Sequence, residues 1–353
     1  MKENDCFGFN IDSLKAYSGY FIDSSQLLKS ASGGAATAIS EQFIQNGGCV
    51  FGVVYTDDFR GAVYACADKL VDLDKFKSSK YIASKKKVLI DNEWISVFEG
   101  VYRKLADDKR VLFIGLGCDI GALLKYLENH HVNIDNLYTI DLICHGPTYP
   151  EVQEEFLNTL EKKYNSKVID FSVRYKKEGW KPPYIYARFA NGKVFTERLY
   201  ESEFGYAFKV YSRRACYECK FKGEYHMADL TLGDYWGCTE EMSGYNQMGV
   251  SIIFTRTEKG ERIVRKLKDN KNFVLSTADK ENALKHNITF YQTRPIDKEQ
   301  YETFDRTFKS QGLHKAVINS KGYKTYRKKK TKRIIKQCLP RNVVKVIQKM
   351  RKG

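Results

Sequence analysis

Residues 110–147 read RVLFIGLGCDIGALLKYLENHHVNIDNLYTIDLICHGP. RVLFIGL is an apolar run of strand length, DIGALLKYLENH (119–130) has helical spacing, and LYTIDLIC (137–144) is a second apolar strand. The same alternation extends toward the amino end. SVFEGVYRKLAD (96–107) is helical, and the turn SASGG, beginning at Ser30, leads into the helix AATAISEQFIQN and the strand CVFGVVYT. Strands alternating with helices predict an α/β fold, a mainly parallel sheet flanked by helices.

Beyond Pro150, which opens the helix PEVQEEFLNTLEKKY, the pattern changes. VIDFSVRYK and YIYARFANGKVFTERLY are strand-like, and Asn191-Gly192 between two such runs is a hairpin signal. The loop CYECKF, the strand-like ADLTLGDYWG, and GVSIIFTRT leading into EKGERIVRKL follow. The expected divisions are an amino-terminal segment (1–29), an α/β half (30–164), a β-rich α+β half carrying the Cys-x-x-Cys (165–300), and a helical, basic tail (301–353).

The chain has 353 residues, 42% of them hydrophobic and 29% charged, a balance that excludes collagen-like and wholly disordered classes. No apolar run reaches spanning length and the amino end has no signal-like core, so a cytoplasmic location is expected. The net charge is +16, but fourteen Lys and Arg and no Asp or Glu fall in 321–353, which leaves the rest at +2. This distribution argues against a basic groove across the body, and nucleic acid is not an expected partner. Val343, Val346, Ile347 and Met350 have helical spacing among these cations. An amphipathic helix resting on an anionic membrane surface, which would place the protein peripherally at the inner face, competes with non-specific RNA binding and with a merely solubilising tail.

Nine Cys occur, at 6, 49, 66, 118, 144, 216, 219, 238 and 338. An odd count without an export signal argues against a disulfide scaffold. Cys49 and Cys66 lie in apolar strand-like runs and read as core, while Cys6, Cys238 and Cys338 have no partner at ligand spacing. Cys216-Tyr-Glu-Cys219 has metal-pair spacing, and alone it suits half of a zinc site, a thioredoxin-like redox pair, or chance. The redox pair is disfavoured because no long apolar helix follows to lower a thiol pKa. Cys118 and Cys144 end predicted parallel strands, where open α/β sheets place their sites. Four thiolates satisfy zinc or an iron–sulfur cluster equally, although one pair plus two distant singles is unusual for zinc.

Cofactor contacts suggested by residue type are Ser32-Gly33-Gly34 before a helix, a phosphate site or simply a turn, and Ser79-Lys80-Tyr81, an ammonium and a ring or only a solvated loop. Asp229, Thr231, Asp234 and Trp236 suit a cofactor wall or an ordinary amphipathic strand. Arg174, Lys176 and Trp180 face an acidic substrate or are merely solvated. His145 and Asp119 are given supporting roles beside the thiols.

Several blocks resemble the coenzyme F420 hydrogenase/dehydrogenase beta-subunit family. CYECKFKGEYHMADLTLGDYWG (216–237) is similar to its Cys-x-x-Cys block with the following Gly-Asp-(Phe/Tyr)-Trp-Gly. DLICHG (141–146) resembles its Cys-His-Gly block, FIGLGCDIGALLKYL (113–127) its Gly-Thr-Pro-Cys-Gln block, and VRYKKEGW (173–180) its Arg-x-Lys and Gly-Trp block. SASGGAATA and SSKYIAS resemble its Ser-Gly-Gly and Ser-Lys-Tyr blocks. The resemblance implies an iron–sulfur flavoprotein oxidoreductase. A 4Fe–4S cluster would sit on Cys118, Cys144, Cys216 and Cys219, and a flavin, FAD in the best-known members, in the 30–164 half. Ser32, Gly33, Gly34, Ser79, Lys80, Tyr81, Asp229 and Trp236 are the expected flavin contacts. Gly117 and Asp119 stand where the family usually has Pro and Gln, and PTYP follows Cys-His-Gly where Val-Pro-Ser-Pro is common. The Cys-rich ferredoxin domain of many relatives is not seen, so a separate ferredoxin-like electron donor is expected, together with a small-molecule substrate. The alternative is a zinc-stabilised interaction protein without redox work.

Overall fold

The structure, a computed structural model, describes residues 11–338. Cys6 and the helically spaced residues Val343 to Met350 lie outside the described residues, as does the side chain of Cys338.

From the amino end, β1 (Lys15–Phe21), α1 (Ser24–Lys29) and α2 (Ala35–Gln45) precede β2 (Cys49–Tyr55) and β3 (Ala62–Ala67). A hairpin of β4 (Lys87–Ile90) and β5 (Glu93–Ser96) leads into α3 (Val97–Ala106), β6 (Val111–Leu116), α4 (Gly117–Asn129) and β7 (Leu137–Leu142). Next come α5 (Pro150–Tyr164), β8 (Val168–Tyr175), β9 (Tyr184–Phe189), β10 (Val194–Arg198) and α6 (Glu203–Val210). The remainder is β11 (Leu230–Asp234), β12 (Ser251–Thr255), α7 (Glu258–Leu267), β13 (Phe273–Thr277), α8 (Lys280–His286), α9 (Lys298–Ile318) and α10 (Tyr323–Cys338).

Eight strands form one sheet in the order β13-β1-β12-β11-β7-β6-β2-β3. Its centre, β11-β7-β6-β2, is parallel, as the strand–helix alternation predicts. Antiparallel strands extend both sides. The central strands read as unbroken apolar runs because both faces are covered. Val50, Leu112, Ile140 and Ile253 pack under α2 and α7 on one face. Phe51, Phe113 and Val111 pack under α3 and α4 on the other.

Strands from both halves of the sequence share this sheet, and β1 from the first 29 residues lies between β13 and β12. The Asn191-Gly192 turn does join β9 to β10, with Gly192 at φ 80°. The three-stranded sheet β10-β9-β8 packs with α5, α6 and α9 around its own apolar cluster.

Candidate functional site

A cavity of about 340 Å³ opens at the carboxyl ends of the parallel strands. Open α/β sheets bind ligands there because the loops leaving adjacent strands diverge and uncover helix amino termini. Cys118, one residue into α4 beyond β6, and Cys144, two residues beyond β7, both line it. Cys216 and Cys219 reach the same cavity from the 3-10 turn Arg214–Glu218 and its end. All four predicted ligands therefore share one space. Among the described residues, no three His, Cys, Asp or Glu side chains stand close enough to hold a single metal ion.

Glycines let these segments approach. Gly146 has φ 92° and donates its N–H to the Cys144 sulfur at 3.2 Å. A Cβ there would meet the Cys216 Cβ at 2.8 Å. On the opposite side, Phe221 seats the Cys-pair loop against α4. A Cβ at Gly121 would meet its ring at 2.4 Å, and one at Gly117 would lie 3.0 Å from its Cβ. Gly117, a departure from the family block, is thus the close-packing point of that loop. Asp119, the other departure, accepts from the Tyr64 hydroxyl at 2.8 Å and the Leu116 N–H at 3.3 Å, and pairs with Lys86 at 2.7 Å.

Lys222 ties the site together: its ammonium donates to the carbonyls of Cys144 (2.5 Å) and Thr289 (2.6 Å). Burial pushes the Cys144 thiol up to about 11, against the lowering effects of the Gly146 N–H and Lys222. Loss of water and the adjacent Asp119 carboxylate push Cys118 up to about 12. Desolvation also raises Cys216. His145 opens into the cavity. Desolvation, with Arg294, Lys222 and Arg174 nearby, pushes it down to about 4, so it is a neutral imidazole at pH 7.

The predicted flavin contacts divide. Ser32, Gly34, Ser79, Lys80, Tyr81 and Trp236 line the cavity, whereas Gly33 and Asp229 do not. Gly33 packs where a Cβ would be 2.0 Å from the Gly19 carbonyl oxygen, so its lack of a side chain serves the join to β1. Gly34, at φ 90°, begins α2 and offers no capping side chain of its own; the Ala35 N–H reaches Ser251 Oγ at 3.4 Å, and the helix start borders the cavity through Ala35 and Thr37. Ser32 donates its hydroxyl to the Val250 carbonyl. Lys80 lines the wall, but its ammonium donates to the carbonyls of Lys75, Phe76, Lys77 and Ser78. Tyr81 stacks on Phe208 at 4.4 Å, and its segment pairs with Thr148 just beyond Cys-His-Gly.

Asp229 lies at the opposite end of β11 from the cavity. It accepts from the Thr139 N–H and hydroxyl at 2.8 and 2.9 Å and from the Thr257 hydroxyl at 2.5 Å. The alternating block ADLTLGDYW is accordingly not a half-solvated strand. Asp229 and Thr231 are buried and spent on neighbouring elements, while Leu232, Gly233, Asp234 and Trp236 line the cavity.

Arg174 and Lys176 are also buried rather than solvated. Arg174 donates to the Ala31 carbonyl and to Asp234 Oδ1, both at 2.8 Å, and Lys176 donates to the carbonyls of Leu27 (2.6 Å) and Ser32 (2.7 Å). Together they pin the Ser-Gly-Gly loop that presents α2. Trp180 stacks on Trp236 with centroids 5.2 Å apart and donates its indole N–H to Asp234.

Beneath the strand ends lies a buried polar group that the sequence did not reveal. Asp141 is 0% exposed. It bonds His226 Nδ1 at 2.6 Å, accepts from the Thr231 hydroxyl, and has Arg256 at 4.0 Å. Burial alone would raise its carboxyl; His226 and Arg256 outweigh that and hold it below the usual range.

The open α/β sheet thus gathers four thiols and the start of α2 around one strand-end cavity, where such sheets place their ligands. Residues 108–281 match the family of the coenzyme F420 hydrogenase/dehydrogenase beta subunit, C terminus. The resemblance read from the motif blocks is borne out. A chain of the F420-reducing NiFe hydrogenase complex from Methanosarcina barkeri, in a xenon-derivatised structure, has the same fold, with a TM-score of 0.52 at 16% identity. The match covers 87% of this chain and 96% of that one. No curated protein matches the sequence.

Proposed function

We propose that this chain is an iron–sulfur flavoprotein oxidoreductase of the F420 hydrogenase beta-subunit type. Cys118, Cys144, Cys216 and Cys219 would hold a 4Fe–4S cluster, and the same cavity would take a flavin, FAD. The observation that carries this reading is convergence: thiols from three distant segments line one cavity. The donor set fits, since four thiolates are the usual ligands of such a cluster. The room that Gly146 leaves between Cys144 and Cys216 fits as well.

For the flavin, the α2 amino terminus behind Gly34 suits a pyrophosphate, with aligned N–H groups and a positive dipole end. Tyr81 and Trp236 supply ring faces in the same cavity. When bound, a flavin exchanges hydride on one side and single electrons on the other, for which an adjacent cluster is the one-electron route. The chain's own residues serve that pair. Lys222 sets positive charge beside Cys144, offsetting the charge of coordinated thiolates. Arg174 and Lys176 hold the α2 loop in place. Neutral His145 presents an imidazole to the cavity that can donate one hydrogen bond and accept another.

Electrons would arrive from a separate ferredoxin-like protein and leave to a small hydride- or electron-accepting substrate. The likeness to a chain of a multi-subunit hydrogenase complex supports a protein partner. Among the described residues, no helix is long and apolar enough to cross a membrane. Anaerobic purification tests the proposal: the protein should be brown, carry iron and acid-labile sulfide, and release a fluorescent flavin in acid. A colourless, zinc-rich protein without flavin would overturn it.

A further inference from the structure

The described residues of the basic segment beyond residue 320 enter neither the sheet nor the cavity. Its described part, α10, is fastened to the body along one stripe. The Tyr326 hydroxyl donates to the Glu201 carbonyl at 2.6 Å and its ring meets Tyr206 edge-on at 5.3 Å. Lys330 pairs with Glu197 at 2.5 Å, and Arg333 pairs with Glu201. Positions 326, 330 and 333 share one helix face. The opposite face carries Lys324, Lys328, Thr331 and Ile335, all exposed, with Arg327 beside them and Ile335 54% exposed.

We propose that this outward face, followed in the sequence by further cations and apolar residues, adsorbs the protein to an anionic lipid surface. The charge fits: 321–353 holds fourteen cations and no acid, and Lys330 and Arg333, which face the body, are matched by Glu197 and Glu201. Apolar residues interleave with the cations, Ile335 on α10 and Val343, Val344, Val346, Ile347 and Met350 further along the sequence. That mixture suits the headgroup–acyl boundary, where cations meet phosphates and short apolar side chains insert. A single-stranded nucleic acid surface instead needs rings for base stacking. The segment has two aromatics, Tyr323 and Tyr326, and both pack against the body's core cluster. The rest of the chain, at +2, carries little excess positive charge for a phosphate backbone.

The test uses the full chain in co-sedimentation with phosphatidylcholine vesicles, with and without phosphatidylglycerol. Binding should require phosphatidylglycerol and weaken steeply with salt. The triple variant K324E/R327E/K328E, altered outside the docking stripe and the cavity, should bind about tenfold more weakly or worse. Its thermal unfolding and iron content should be unchanged. Equal binding to both vesicle types, binding to neither, undiminished binding by the triple variant, or tighter capture of single-stranded RNA than of the anionic vesicles would each overturn the proposal. None of the binding readouts depends on the cluster or flavin.

Discussion

A methyl group at Gly146 would stand 2.8 Å from the Cβ of Cys216, although 70 residues separate the two in sequence. The glycine of Cys-His-Gly is thus a spacer between two of the proposed ligands, and its φ of 92° favours glycine independently. Gly146→Ala should cost about 1–2 kcal/mol of stability. Its larger effect should be on retention: iron per chain should fall well below the wild-type value after anaerobic gel filtration. Unchanged iron would show that Cys216 is not a ligand or that the loop accommodates the methyl group freely.

The Phe221 wedge gives a paired prediction. Gly121→Ala forces a Cβ into the space of the Phe221 ring, and overpacking of this kind costs about 1–3 kcal/mol. The Cys216–Cys219 loop should loosen, read as faster proteolysis between α6 and β11. Adding Phe221→Leu should restore protection, because the smaller side chain vacates the clash. Failure of the second change to rescue the first would sink the wedge.

Asp141 predicts an acid limit. Its carboxyl lies below the ordinary 3.8 in the folded state, so folding takes up fewer protons there than the unfolded chain does. The stabilisation is complete above the ordinary value and is lost as pH falls through the lower, folded one. Urea midpoints for the wild type should therefore drop between about pH 5 and pH 2 more steeply than for Asp141→Asn. At neutral pH that variant should be about 3–5 kcal/mol less stable, because Arg256 loses a buried counter-charge and His226 its carboxylate hydrogen-bond partner. Parallel pH profiles would show the group is not ionised in the fold.

Serine substitutions sort the thiols. Cys118→Ser, Cys144→Ser, Cys216→Ser and Cys219→Ser should each abolish most of the bound iron. Cys49→Ser and Cys66→Ser should retain it, since both side chains belong to the apolar cluster under α3 and α4. Equal iron loss in all six would contradict the assignment.

What the sequence disclosed has a physical pattern. Continuous apolar runs such as VLFIGL declare a strand buried on both faces, and the cysteines at the ends of two such strands mark the cavity rim. The Asn191-Gly192 turn was equally legible because its signal is local. Long-range partners were not. Arg174 and Lys176 look like solvent-facing cations on a strand until the fold places the carbonyls of residues 27–32 above them. Asp229 and Asp234 look equivalent in ADLTLGDYW, yet they stand at opposite ends of β11. Phe221 and Lys222 lay within a quoted motif but carried no pattern of their own, since their roles come from glycines and carbonyls elsewhere in the chain.

The Phe221 seat also bears on the order of assembly. Two of the proposed ligands follow directly after sheet strands, while the other two ride on a short turn seated against α4. On the proposed assignment, the sheet alone would present half of the receptor, and an inorganic core would be enclosed only once that turn is seated.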